Sequence, residues 1–146
     1  MDVSWYVIAA VGFIFALIVL WISGAVRYIP NDRLGVLEKL WSARGSIKNG
    51  LIALDGEAGF QPETVRGGFH FFVPFQYRMH RVPLVTIPQG QIGYVFARDG
   101  VALAPTQTLA ANTNAADFQN VRGFLEAGGQ KGPQRKILRD GTYAIN

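Results

Sequence analysis

Two histidines, His70 and His80, stand ten residues apart in this 146-residue chain and are the first residues to weigh for metal ligation or acid–base chemistry. A metal normally takes three or four ligands, and no carboxylate cluster accompanies the pair, so structural or exposed roles are expected. Ser46 and Lys48 have the proximity of a nucleophile and a base, and Asp55, Glu57 and Glu63 form a local carboxylate set. Neither comes with a third group to orient it. Gly123 and Gly128 are separated like two glycines of a phosphate loop, but position 129 is Gly where Lys is needed and no Ser or Thr follows. The residues therefore point to no catalytic site, no metal and no cofactor; the chain is not expected to be an enzyme. With no Cys, disulfides and thiolate metal sites are excluded.

The stretch that carries chemistry of another kind runs from Gly67 to Arg81. Phe69, Phe71, Phe72 and Phe75 come first, and Arg78 and Arg81 follow. Beside a membrane, rings would enter the interface while the cations meet lipid phosphates. The same rings equally suit the packed interior of a sheet, since aromatic residues in strands are usually packing residues.

What would position such a loop begins at the amino terminus. Between Asp2 and Arg27 lie 24 residues without a charge. At about 1.5 Å per residue they reach roughly 36 Å, enough for a hydrocarbon layer of about 30 Å. The pattern predicts one transmembrane helix over Val3 to Val26. Trp5 and Tyr6 mark one end and Trp21 and Tyr28 the other, as interfacial rings do. A cleavable signal, for which Ser23, Gly24 and Ala25 are small enough, fits less well, because no Lys or Arg precedes the apolar run and the run is too long. Gly12 and Ala16 form a small-xxx-small pair on which two helices could pack. Arg27, Arg33, Lys39 and Arg44 follow the helix, so the positive-inside rule puts the bulk in the cytoplasm and the N-terminus outside, a single-pass protein of the plasma (inner) membrane.

Beyond the helix, all 14 Lys and Arg but nine of the ten acids give a formal excess of +5. Next to an anchor this favours the anionic bilayer surface; the cations are scattered rather than set in a stripe with stacking rings, which argues against nucleic acid. Residues 28–99 show short β-branched and aromatic runs punctuated by Gly, Pro, Asn and Asp. Strands are expected at Leu34–Leu37, Leu51–Leu54, Phe69–Val73, Arg78–Ile87 with a break at Pro83, and Gln91–Phe96, with turns at Asn49-Gly50, Asp55-Gly56 and Gly67-Gly68. Residues 100–146 are a Gly-, Ala- and Asn-rich excursion with a short helix over Ala115–Ala127, ended by Gly128-Gly129, and the start of a further strand. The chain stops at Asn146 just after Tyr143 and Ile145 open that strand, so the domain reads as incomplete. The fold class is α+β: an N-terminal transmembrane helix at 1–27, then a small, mostly antiparallel β-rich domain.

One internal echo stands out. Ile29-Pro30 precedes Leu34-Gly35-Val36-Leu37, and 58 residues later Ile87-Pro88 precedes Ile92-Gly93-Tyr94-Val95 at the same interval. Each pairs a Pro at a strand entrance with a Gly where a strand bulges or passes close to another backbone.

The order of the N-terminal span, the Pro followed by Gly-Val, Gly67-Gly68-Phe69-His70 with Val73-Pro74-Phe75, the repeat at Pro88 to Val95, and Leu138-Arg139-Asp140-Gly141-Thr142-Tyr143-Ala144-Ile145-Asn146 resembles the flotillin-like branch of the SPFH (band 7; stomatin, prohibitin, flotillin) family. The resemblance covers most of residues 27–146. It implies a membrane scaffold that self-associates into a large oligomer and organises lipid microdomains or other membrane proteins without catalysis. A regulatory subunit that binds a membrane protease or transporter is the rival reading.

Overall fold

The computed structural model describes residues 3–113 and 115–146. Asp2, which bounds the uncharged run, and Asn114, within the excursion, lie outside the described residues. The architecture is α+β, with one N-terminal apolar helix followed by small antiparallel sheets.

Helix α1 spans Val3–Ile22, shorter at its C-terminal end than the expected Val3 to Val26. At 20 residues it is about 30 Å long. Ser23 Oγ donates to the Leu20 carbonyl at 2.8 Å, competing with helical continuation, and Gly24 takes φ +70°, the left-handed turn that ends helices. Val26 falls instead in β1, Val26–Ile29, where a β-branched residue pairs comfortably across a ladder.

Strands β2 (Arg33–Lys39), β3 (Gly59–Val65), β4 (Gly68–Phe71) and β5 (Tyr77–Pro83) follow. β1 pairs with β4, and β2 lies between β3 and β5, all antiparallel. β3 was not expected, because Pro62 hides an alternating run; it is tolerated because β3 is an edge strand. Leu51–Leu54, expected as a strand, is loop with a single bridge from Ile52 to Phe60.

Next come β6 (Val85–Ile87), β7 (Phe96–Ala97), α2 (Val121–Glu126), β8 (Gly132–Pro133) and β9 (Gly141–Tyr143). β6 pairs with β9 and β7 with β8. Residues 91–96 do not form the continuous strand expected; Gly93 exchanges backbone hydrogen bonds with Leu138, and the ladder resumes at Phe96. Helix α2 is shorter than Ala115–Ala127. Ala116, Asp117 and Phe118 take φ of 45°, 55° and 62°, so a left-handed turn occupies what would be its first half, and Asn120 starts the helix by accepting from Gly123 N at 2.9 Å. Gly128, at φ +73°, ends it.

The echo at 58 residues is one half of a larger internal repeat. Ile29 pairs with Gly68 as Ile87 pairs with Gly141, Gly35 with Val65 as Gly93 with Leu138, and Lys39 with Gly59 as Ala97 with Gly132. Gln61 Nε2 donates to the carbonyls of Glu57 and Gly59, both at 3.1 Å; Gln134 Nε2 donates to those of Gln130 and Gly132 at 2.7 and 3.0 Å. His70 Nε2 donates to the Arg66 carbonyl, and Tyr143 OH to the Arg139 carbonyl. The Ile–Gly spacing has a packing cause. A Cβ on Gly35 would sit 2.6 Å from Ile29 Cδ1, and one on Gly93 would collide with Ile87 Cδ1, so each isoleucine lies over a glycine that leaves it room.

Ile29 and Leu34 are fully buried in the first unit, whereas Ile87, Ala115, Phe118, Phe124 and Leu138 form the core of the second. Polar clamps join the units. Asp99 Oδ2 accepts from the amides of Leu51 and Ile52 at 2.7 and 2.9 Å, and Arg122 contacts Glu63 at 2.6 Å and the Leu54 carbonyl at 3.0 Å. The Glu63 hydrogen bond outweighs desolvation and raises the Arg122 pKa above its ordinary value.

Candidate membrane-proximal surface

The surface begins where α1 hands over to β1. Three residues, Ser23 to Ala25, separate helix from strand, and Ala25 is buried with its carbonyl accepting from Phe72 N at 2.8 Å. The ribbon of β1 and β4 is thus fixed beside the end of the apolar helix. Side chains alternate across a strand, so the register Val26↔Phe71 and Tyr28↔Phe69 puts these four on one face. The Tyr28 and Phe69 rings meet at 5.0 Å.

Phe69, Phe71 and Phe75 are 71, 79 and 71% exposed, the opposite of what sheet-core packing requires. Phe72 differs: it is half-buried, with its ring 5.8 Å from that of Tyr77 and stacked on His70. Phe75 holds φ 60° at the tip of the turn between β4 and β5, which thrusts its ring outward. Trp41 and Val73 are exposed as well. The sequence gives no signal distinguishing outward from inward rings here, because His70 and Phe72 on one face and Phe69 and Phe71 on the other are all aromatic.

Arg78 and Arg81 are both exposed, but three residues apart on one regular strand they leave opposite faces of the sheet. They do not act as one cationic pair. Arg78 lies 3.8 Å from Glu38, which also contacts His80 Nε2 at 2.8 Å.

Along α1, Trp5, Tyr6 and Trp21 are exposed, and the two tryptophans are separated by about 24 Å of helix. Gly12 and Ala16 lie one turn apart on open helix surface; nothing approaches a Cβ built on Gly12 within 4 Å. None of the Ser4–Ile22 segment is buried, and it is long and apolar enough to cross a membrane.

The chemistry-bearing residues are dispersed. His70 and His80 sit in different sheets with separate partners, Glu63 is engaged by Arg122, and among the described residues no group of three His, Cys, Asp or Glu could hold a metal. The cavity that sequence did not reveal is an apolar groove of about 690 Å³ between the two units, lined by Val36, Phe60, Val82, Phe118, Phe124 and Ile145. Its residues are far apart in sequence and come together through the packing of α2 on β3, beside β2 and β5.

Comparison with models of protein families, with characterised proteins and with solved structures gives no match.

Proposed function

We propose that this chain is a membrane-anchored scaffold of the flotillin-like SPFH type. In this reading α1 crosses the bilayer once with the N-terminus outside, and the sheets lie in the cytoplasm against the inner face of the plasma membrane. The aromatic ribbon of Tyr28, Phe69 and Phe71, with Phe75, dips into the interface. The chain self-associates and gathers lipids or other membrane proteins without catalysing a reaction. The observation that carries the reading is the exposed aromatic face, fixed within three residues of the end of an apolar helix. An apolar area so close to a span costs nothing if lipid covers it and is a liability if water does.

The absence of Cys makes the test direct. A single Cys introduced as Phe71→Cys, and another as Val101→Cys at a distant exposed site, are spin-labelled on the full chain reconstituted in liposomes. The reading expects position 71 to favour oxygen over a water-soluble nickel reagent, and position 101 to do the reverse. Equal access of the nickel reagent to both positions would overturn it. Recovery of one client protein in fixed stoichiometry, with no large self-assembly, would favour a regulatory subunit instead.

A further inference from the structure

The first unit holds a second cavity, outside the groove between the units. Strand β2 ends at Lys39, and the chain then passes beside residues 54–56, leaving a cavity of about 630 Å³ whose wall includes Lys39, Trp41, Ser42, Arg44, Asp55 and Gln76. Two cations are held there by neutral groups. Lys39, half-buried, donates from Nζ to the Gly56 carbonyl at 2.8 Å and to Ser42 Oγ at 3.3 Å, while Ser42 Oγ donates to the same carbonyl at 2.8 Å. Arg44 donates from Nη1 to the Asp55 carbonyl. Among the described residues neither cation has a carboxylate at ion-pair distance, although Asp55 lines the same cavity. An ammonium and a guanidinium each carry more donors than these bonds use, so both keep N–H groups and an uncompensated charge for an anion. The fold itself does not require the lysine: Ala97 holds its place in the second unit, opposite Gly132 as Lys39 is opposite Gly59.

The cavity lies at the end of the unit that α1 enters. The Ala25 carbonyl accepts from Phe72 N at 2.8 Å, the Val73 carbonyl from Gln76 N at 3.3 Å, and the Gln76 carbonyl from Leu40 N at 2.8 Å, a short run of backbone bonds from the foot of α1 to the residue after Lys39. Phe75 in that turn and Trp41 on the cavity wall are 71 and 57% exposed. Cationic donors bordered by exposed rings, next to a span, match the two parts of a phospholipid, its phosphate and its glycerol with acyl chains. We propose that this cavity binds the headgroup of an anionic phospholipid, whose phosphate oxygens accept from Lys39 Nζ and the Arg44 guanidinium while the Trp41 indole lies at the level of the glycerol. The proposal rests on the membrane-apposed reading of the sheets and adds a lipid preference to it: an aromatic ribbon enters any bilayer, whereas this cavity selects a negative headgroup.

The full chain in neutral detergent micelles is titrated with phosphatidylglycerol and, separately, with phosphatidylcholine, and bound lipids are counted by native mass spectrometry. One phosphatidylglycerol binds at least tenfold more tightly than phosphatidylcholine. Arg44→Gln, at an exposed side chain, and Lys39→Gln each weaken it about tenfold, the effect of one charge-assisted hydrogen bond. Asp55→Asn, which removes the acidic side chain from the wall, tightens it. Lys48→Gln removes the same charge from an exposed site outside the cavity and changes the affinity less than twofold. Slow exchange of the Leu40 amide, bonded to the Gln76 carbonyl, verifies that each variant keeps the cavity wall.

Three results overturn the proposal. The first is equal binding of the two lipids. The second is an equal loss in Lys48→Gln, which would mean diffuse attraction to a basic surface. The third is displacement of the lipid by millimolar inorganic phosphate, which would make the cavity a site for free phosphate. The spin label at position 71 touches neither cation, so a lipid-facing label together with any of these results sinks the headgroup site alone and leaves the aromatic face standing.

Discussion

The Ile–Gly packing that recurs in both units makes a quantitative demand. Gly35 sits in β2 without a positive φ, so Gly35→Ala introduces no backbone strain, only a methyl group. That methyl would lie 2.6 Å from Ile29 Cδ1, 3.3 Å from Val65 Cγ2 and 3.4 Å from Met79 Sδ. Ile29 is fully buried and cannot swing its δ-methyl into solvent. Overpacking of this kind costs about 1–3 kcal/mol. Ile29→Val alone deletes the offending methyl from a packed site and costs about 0.5–1.5 kcal/mol. Combined, the two changes relieve each other, because the methyl added at residue 35 occupies space vacated at residue 29. The double variant is expected to be at least 1 kcal/mol more stable than the sum of the single effects implies. Hydrogen exchange of the β2 and β5 amides in detergent micelles reads this without interference from α1, each tenfold acceleration corresponding to about 1.4 kcal/mol. Additivity within about 0.5 kcal/mol would show that the contact does not hold the glycine in place. Relief confined to the Gly93 and Ile87 pair would limit the argument to the second unit.

Asp99→Ala strips two amide bonds that tie the loop at Leu51 and Ile52 to the second unit, and should speed exchange at those two amides through a loss of about 2 kcal/mol. Phe71→Ser changes an outward ring and should alter thermal stability in micelles by no more than about 0.5 kcal/mol, whereas Phe124→Ala, at the centre of the second core, should cost about 3–5 kcal/mol. A large loss for Phe71→Ser would return that ring to the sheet interior. Arg122→Met should cost about 1 kcal/mol or less, because its contacts with Glu63 and Glu126 are solvent-exposed. Its raised pKa adds stability that is fully present below the ordinary guanidinium value and is lost only as pH rises past the raised one, so the change in stability caused by this variant should follow no Arg122 titration at neutral pH.

The parts of the fold legible from sequence are those with strong local causes. An uncharged run of 24 residues can hardly be anything but an apolar helix, and β2, β4 and β5 announce themselves by β-branched and aromatic residues between turn formers. The helix end was misplaced because Val26 is apolar enough to extend the run, while the competing Ser23 bond and the Gly24 turn are local geometry. β3 escaped because Pro62 masks it, and the second half of the repeat escaped because a longer loop carrying α2 shifts its spacing from 58 residues, as in Ile29 and Ile87, to 73, as in Gly59 and Gly132. Whether Phe69 and Phe71 face inward or outward could not be read at all, since ring identity is silent about which side of the ribbon is covered.

The junction at Ser23 to Ala25 also has a mechanical consequence. Ala25 is buried and bonded to Phe72, Arg27 Nε donates to the Gly24 carbonyl at 3.1 Å, and none of the Ser4–Ile22 segment of α1 is buried among the described residues. The helix is therefore a lever about 30 Å long pivoting on a stiff, three-residue fulcrum. A 10° swing of its axis displaces its far tip by about 5 Å on that length, and the torque passes into the β1–β4 ribbon with no slack chain to absorb it. Changes in the tilt of α1 are thus mechanically coupled to the orientation of the aromatic face at its base.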